Sequence, residues 1–333
     1  MDLKLYSLNS LPDLHKHWYK AAISTNQADP FCSTPAWQMA FHDAFAPARR
    51  LLIESSSNSL VAFAEHIESP EEVFLTPIEM HWCFGCPLLG KGAVNLLAET
   101  LPKIEKHYPQ TFPKLLISGI RPGGVLSQRL IKTFAPRFDI YLYSSSVQGA
   151  ASLADGVDGY LSRRSGNHRK KLKKQTRRAA EMEVTYERVS PTSIEEAEAT
   201  YSRIIKVELA SWKGIEKCGM AEPGSKEFYD SMLKRLSMSG DGRVIFAQHE
   251  GNDIGFIFGG LAGKIYRGQQ FSYDEKWKDY SIGNLMQIEK IKWLCEEGVK
   301  RYDMGPVTGP KMGYKKHWTE KQSHIQTWLF VKR

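Results

Sequence analysis

The sequence predicts an α/β protein built as two similar lobes in tandem, and three observations carry that reading. At 333 residues the chain has the length of two ordinary domains. Its short apolar runs, glycine turns and helical patterns follow one order in the first half and the same order again in the second. Hydrophobic residues at 42% and charged residues at 25% lie in the globular range, enough for each lobe to bury a core.

In the first half, Arg50 to Glu54, Leu60 to Ile67 and Val73 to Ile78 read as strands, because apolar residues cluster there between turn formers. A glycine-rich turn from Gly85 to Gly92 follows, then helical spacing at Val94, Leu97, Leu101 and Ile104, then a strand at Lys114 to Ile117. The second half repeats that order. Strands are expected at Arg243 to His249, Asp253 to Gly259 and Lys264 to Tyr273, a turn around Gly283, a helix to Glu297, and a strand at Arg301 to Met304. The boundaries implied are a first lobe over 1–150, a basic helical segment over 151–182 and a second lobe over 183–333.

The middle segment holds the charge. The formal net charge is +8, yet Arg163, Arg164, Arg169, Lys170, Lys171, Lys173, Lys174, Arg177 and Arg178 fall within sixteen residues without an acid among them. Without these nine, 36 basic residues stand against 37 acidic ones, so the positive field is local and suits an anionic partner. Asn167 is placed to cap a helix with Leu172, Thr176 and Ala179 on one narrow apolar face. Beyond it, Glu183 to Ser190 alternates as a strand, and Ile194 to Leu209 has helical spacing. No recognition-helix or zinc-finger pattern accompanies the charge, so sequence-specific DNA reading is not expected.

Five scattered cysteines, at 32, 83, 86, 218 and 295, suit a reducing compartment better than a disulfide framework. Cys83 and Cys86 form a CxxC that reads as two small buried residues flanking a glycine turn, with no second pair or histidines at zinc spacing. Met1 to Ala22 mixes Asp2, Lys4, Asp13, His15 and Lys20 with apolar residues, unlike a signal peptide. With no apolar run long enough to span a bilayer, a cytoplasmic location is expected.

The most informative local feature is Asp279-Tyr280-Ser281-Ile282-Gly283-Asn284-Leu285-Met286, which follows a strand and opens an amphipathic helix with Leu285, Ile288, Ile291, Leu294 and Cys295 as its buried stripe. First-turn amides lack intrahelical partners and the dipole adds positive charge, so such a turn can receive a phosphate, and Gly283 permits close approach. It also reads as an ordinary strand-to-helix turn with Ser281 as its cap. The chain has no GxxxxGK[ST] and no GxGxxG opening a helix, no GxSxG and no HExxH, which leaves nucleotide hydrolysis, dinucleotide binding, serine hydrolysis and zinc proteolysis without their motifs. No metal is expected.

Read together, the second half contains Ser211-Trp212-Lys213-Gly214, Phe271-Ser272-Tyr273-Asp274, Tyr280-Ser281-Ile282-Gly283, Tyr302-Asp303-Met304-Gly305 and Tyr314-Lys315-Lys316-His317-Trp318. This ordered set resembles the CelD/BcsL-type acetyltransferase family of the GNAT superfamily, which is close in architecture to the FemABX peptidyltransferases. Pro30-Phe31 followed by Thr34-Pro35-Ala36-Trp37 looks like the N-terminal signature of that family, so the likeness spans most of the chain.

The resemblance implies two GNAT-like lobes, each a mixed, mostly antiparallel sheet flanked by helices. It also implies an acyl donor lying where a splayed sheet meets the helix after the glycine turn. In GNAT relatives the donor is an acyl-coenzyme A, acetyl-coenzyme A above all, and its pyrophosphate would meet Tyr280, Ser281, Ile282, Gly283, Asn284 and Leu285. In FemABX relatives it is an aminoacyl-tRNA. A full Q/RxxGxG/A loop is absent here. The expected acceptor is an amine of a sugar, peptide or small metabolite.

Transfer to an amine needs a neutral nucleophile, removal of its proton and stabilisation of an oxyanion. Glu208, Asp274 and Asp303 lie in or beside family-like motifs at element ends, where a carboxylate serves as base or as cap and ion pair. Lys315 follows Tyr314 in a motif that resembles the FemABX segment containing a lysine that supports peptidyl transfer. Trp212, Lys213, Tyr273 and Tyr314 are the candidates for the acceptor pocket. The basic segment 163–178 suits the phosphates of coenzyme A, a tRNA backbone, or an anionic lipid or nucleotide-linked carrier.

Overall fold

Strand formation in the first part of the chain follows its short apolar runs. β1 (Leu5–Tyr6), β2 (Leu51–Ser56), β3 (Ser59–Ser69) and β4 (Glu72–Thr76) are joined antiparallel in that order, and β5 (Leu88–Gly90) pairs with β3. The computed structural model describes residues 5–6, 12–309 and 312–333. Residues 1–4 and 7–11 of the N-terminal stretch compared with a signal peptide lie outside the described residues. The chain divides into two compact units, one running to Val147 and including Ser323–Arg333, the other Gln148–Gln322.

In the first unit, α1 (Pro12–Ile23) and α2 (Pro35–Phe45) precede the strands. α3 (Ala93–His107) lays Val94, Leu97, Leu101 and Ile104 over Leu52, Phe63 and Leu75, as the helical spacing predicts. β6 (Lys114–Ile120) runs parallel to β4, and α4 (Val125–Phe134) leads to β7 (Phe138–Ser152), whose last residues lie in the second unit. Cys83 and Cys86 are buried free thiols, and burial pushes both up to about 12.

The second unit contains α5 (Gly156–Ser162), α6 (Gly166–Glu181), β8 (Thr185–Val189), α7 (Ile194–Ala210), the single turn α8 (Trp212–Ile215) and α9 (Ser225–Ser239). β9 (Gly242–His249), β10 (Asn252–Ala262) and β11 (Ile265–Tyr273) form an antiparallel meander, with β8 added antiparallel at the β9 edge. α10 (Ile282–Glu296) then crosses over to β12 (Arg301–Pro306), which lies parallel to β11 and antiparallel to residues 148–152 of β7. Each unit is thus a three-stranded meander, a helix and a parallel strand, in a mixed and mostly antiparallel sheet. This is a GNAT-like architecture, twice over.

α10 is enclosed on more sides than its apolar stripe predicts. Ile291 and Leu294 are fully buried, each worth roughly 1.5–3 kcal/mol. Gln287, Lys290 and Trp293 are buried too, and Lys290 donates to the Arg243 carbonyl at 3.0 Å.

Three sequence expectations are corrected. β13 (Lys321–Lys332) pairs antiparallel with β6 through Gln326 to Phe330, so Ser323–Arg333 completes the first unit and a second lobe over 183–333 does not hold. The basic segment is part of the second unit, since Leu172 and Ala179 of α6 are buried in its core while Thr176 is exposed. The cap of α6 is Ser165, not Asn167: Ser165 is extended, its hydroxyl accepts from the His168 amide, and the helix begins at Gly166. Among the described residues, no helix is long and apolar enough to cross a membrane.

Candidate active site

Parallel strands β11 and β12 share three facing pairs, Ile265 with Arg301, Tyr266 with Tyr302 and Arg267 with Asp303. β11 runs on to Tyr273 and β12 to Pro306 without pairing further with each other, so the sheet opens between them. Arg301 grips the Asp303 carboxylate with two hydrogen bonds of 2.7 Å at the start of the opening. A chamber of about 50 Å³ fills it, lined by Gln270, Gln287, Tyr302, Met304, Tyr314 and Lys315 among others.

Lys315 sits on a 3-10 turn, Gly313–His317, with its side chain turned inward. Its Nζ donates to the Pro306 carbonyl at 2.7 Å. Burial, reinforced by the nearby Arg267 guanidinium, pushes its amine down to about 7. Lys315 therefore exchanges its proton near neutrality where the strands part.

The chamber adjoins a crevice of about 340 Å³ between β11 and the first turn of α10, with Phe271 and Tyr273 on one side and Ser281, Gly283 and Asn284 on the other. Tyr314 borders both spaces, its ring edge-on to Phe271 at 5.6 Å. A Cβ on Gly283 would lie 3.0 Å from the Phe271 ring, so a bulky side chain there closes the crevice. The amide set expected to face a phosphate shrinks, because the Ser281 carbonyl accepts from Asn284 and Leu285. This leaves the Ile282 and Gly283 amides at the helix end. Ser281 is left-handed (φ 61°) and caps nothing with its side chain; its hydroxyl bonds instead to Gln175 of α6. The side chains of Ile282 and Leu285 are in the core, and Tyr280 stacks under Arg178 at 4.5 Å.

From the other direction, Glu208 at the end of α7 is completely buried. Its Oε1 accepts from the Met220 amide at 2.9 Å and lies 3.5 Å from Lys213 Nζ. Lys213 donates to Gln270 Oε1 at 3.0 Å, and Gln270 Nε2 donates to the Tyr229 hydroxyl at 2.8 Å. Burial pushes the Lys213 amine down and Glu208 pulls it back up. Gln270 is thereby fixed in orientation where it borders the chamber.

The structure thus brings Lys315, Tyr314, Tyr273, Ser281, Gly283 and Asn284 to one continuous opening, with Lys213 and Glu208 reaching it through Gln270. Asp274 does not line it; its carboxylate accepts from the Lys276 amide and anchors the 3-10 turn Glu275–Tyr280. Trp212 opens α8 and also stays off these surfaces. Sequence reasoning missed Gln270, Gln287 and Arg267. The signal was a Gln-Gln pair amid the apolar residues of a strand. Among the described residues, no group of three His, Cys, Asp or Glu is placed to hold a metal.

Comparison with known proteins places this architecture. The fold is that of GNAT-type acyltransferases. Residues 166–316 match the family model described as acetyltransferase (GNAT) domain, a stretch that includes α6, the glycine turn and Lys315. The chain is similar in structure to FemX, with 11% identity, 94% of this chain and 95% of that one covered, and a TM-score of 0.67. A conserved protein of unknown function from Bacteroides thetaiotaomicron VPI-5482 is similar over 99% of this chain and 100% of its own, with 11% identity and a TM-score of 0.65. So is the C-terminal domain (DUF2156) of a putative lysylphosphatidylglycerol synthetase from Agrobacterium fabrum, with 9% identity, 96% and 92% coverage and a TM-score of 0.60. No curated protein matches in sequence.

Proposed function

We propose that this chain is a cytoplasmic N-acyltransferase of the CelD/BcsL type, which transfers an acyl group, acetyl in the first instance, from acyl-coenzyme A to an amine of a sugar, peptide or small metabolite. One observation carries the reading: strands β11 and β12 part beyond Arg267 and Asp303, and the opening runs from the glycine turn at Gly283 to Lys315. The glycine-only approach at Gly283 suits a donor pyrophosphate on the Ile282 and Gly283 amides. When bound, acyl-coenzyme A supplies the acyl group as an activated thioester. Lys315 in its charged form would hold the oxyanion as the amine adds to the acyl carbon; the C–S bond then breaks, and the proton shed by the amine leaves with the thiol. Gln270, oriented by Lys213 and Tyr229, positions the acceptor, and Tyr273 and Tyr314 wall the crevice. Glu208 acts through Lys213; Asp303 pairs with Arg301 at the start of the opening, and Asp274 anchors the turn after β11.

Calorimetric titration of acetyl-coenzyme A into the parent and a Gly283→Trp variant tests this. Binding by the parent and its loss in the variant supports the reading, whereas a folded parent that does not bind removes acyl-coenzyme A as donor.

A second reading rests on α6. Among the described residues, Arg169, Lys170, Lys171, Lys173 and Lys174 have no acidic partner, and this row of exposed cations suits an aminoacyl-tRNA donor of the kind the FemABX resemblance implies. Binding of tRNA without binding of coenzyme A favours it. A non-catalytic anion-binding module would keep its partner when Lys315 is replaced and show no turnover with any amine.

A further inference from the structure

A separate pocket of about 150 Å³ opens beside the crevice, formed where one face of α6 meets the 3-10 turn carrying Lys315 and the first turn of α10. His168, Lys171 and Gln175 reach it from α6, at the spacing that shares a helix face; Asn284, His317 and Trp318 close the other side. No acidic side chain lines it. The His168 ring lies parallel to His317 at 5.9 Å and edge-on to Trp318 at 5.0 Å, which fixes its plane.

Two polar atoms of the lining, His168 Nε2 and Gln175 Oε1, are buried without a hydrogen-bond partner. Buried polar atoms of this kind are costly unless something meets them. A half-turn of the Gln175 amide keeps its bond to the Ser281 hydroxyl, which then donates, and turns the amide NH₂ toward the pocket. The pocket then presents donors from His168, Lys171, Gln175 and Asn284. Lys171 itself has no acidic partner among the described residues.

We propose that this pocket binds a further phosphate of the nucleotide-bearing donor, beside the phosphates at Gly283. The pocket and the crevice share Asn284, Tyr314 and Trp318, so a ligand with phosphates at both places has a continuous path. The chemistry is that of a phosphate ester. It comes either from the 3′-phosphate of coenzyme A or from the backbone of a tRNA acceptor end. The inference rests on the transfer reading for the identity of the donor, while the phosphate site stands on its own lining.

The test is calorimetry with acetyl-coenzyme A, 3′-dephospho-acetyl-coenzyme A and adenosine 3′,5′-bisphosphate, on the parent, on Lys171→Met and on His168→Gln. Thermal melts check folding, and the exposed Lys171 variant carries the test should His168→Gln prove unstable. The parent is expected to favour the 3′-phosphorylated donor by about tenfold or more, the scale of one charge-assisted hydrogen bond, and each variant to lose most of that preference. Equal binding of the two donors by the parent, or an unchanged preference in folded Lys171→Met, overturns the proposal. Should neither donor bind, the bisphosphate and unfractionated tRNA decide. Binding of either that weakens about tenfold in Lys171→Met keeps the phosphate pocket while rejecting acyl-coenzyme A; binding of neither, or binding indifferent to the substitution, rejects both.

Discussion

Arg267 and Asp303 are the last facing residues of the two parallel strands, and the sheet opens directly beyond them. Both are buried. Two positions on, Gly305 has a left-handed backbone, and a Cβ there would come within 2.3 Å of the Arg267 guanidinium. Arg267 therefore keeps its place because residue 305 has no side chain. At the same edge the Arg301 guanidinium grips the Asp303 carboxylate with two hydrogen bonds.

Asp303→Asn should accordingly act on stability more than on chemistry. It weakens the two charge-assisted hydrogen bonds from the half-buried Arg301 guanidinium, a loss on the order of 2 kcal/mol. Urea denaturation should show a lower midpoint, with kcat of the folded fraction within a few-fold of the parent. A normal midpoint with abolished turnover would return Asp303 to the reaction.

Lys315 gives a prediction with two signs. Its amine is held near 7 in the folded chain and titrates far higher when unfolded, so between those values the unfolded state binds more protons and stability rises with pH. The buried charge is a full cost below about 7 and is relieved above it. Lys315→Met should therefore stabilise the protein at pH 6.5, by an amount on the order of 2 kcal/mol or more, and less at pH 9.5. Its kcat should fall by about 10²–10³. The parent should lose turnover through an alkaline limb near 7, and Lys315→Arg, which stays charged, should lack that limb. A rate that instead rises through 7 makes Lys315 a base.

The buried pair of Glu208 and Lys213 should couple strongly. Glu208→Leu leaves an ammonium without its carboxylate and should cost roughly 3–5 kcal/mol. Adding Lys213→Met should recover part of that, with a coupling of about 1–3 kcal/mol in a double-mutant cycle followed by chemical denaturation. Additive losses would show that the two groups do not communicate.

Thiol reactivity offers a quick check of burial. In the native protein a thiol reagent at pH 8 should modify exposed Cys218 readily, while Cys83 and Cys86, held near 12, offer roughly one thiolate in ten thousand. They should react after unfolding. Fast native labelling of Cys86 would mean that the packing around β5 opens.

What the sequence disclosed, and what it hid, divides along the distance between interacting residues. The meander β9–β11, the helix α10 and the strand β12 were readable because each is defined by its own apolar period. So was Gly283, since a lone glycine at a strand-to-helix turn has few local alternatives. The partner of β6 was not readable, because Leu115 meets Phe330 across most of the chain and no local pattern encodes that choice. The carboxylates stayed ambiguous for a related reason: Asp274 beside Tyr273 looks the same in sequence whether it faces a substrate or caps the next turn, and in the structure its carboxylate accepts from the Lys276 amide. Gln270 escaped notice because its importance comes from Lys213 and Tyr229, which lie on other elements.

The pairing of β13 with β6 also sets an order of events. Residues 326–330 leave the ribosome about two hundred residues after β6, so the N-terminal unit emerges with the apolar strand Leu115 to Ile120 lacking one neighbour. During that interval an unpaired edge is open to wrong partners. Synthesis must run nearly to Phe330 before the half made first can close its sheet, and a tag or deletion at the tail should therefore be felt most by the part of the protein farthest from it in sequence.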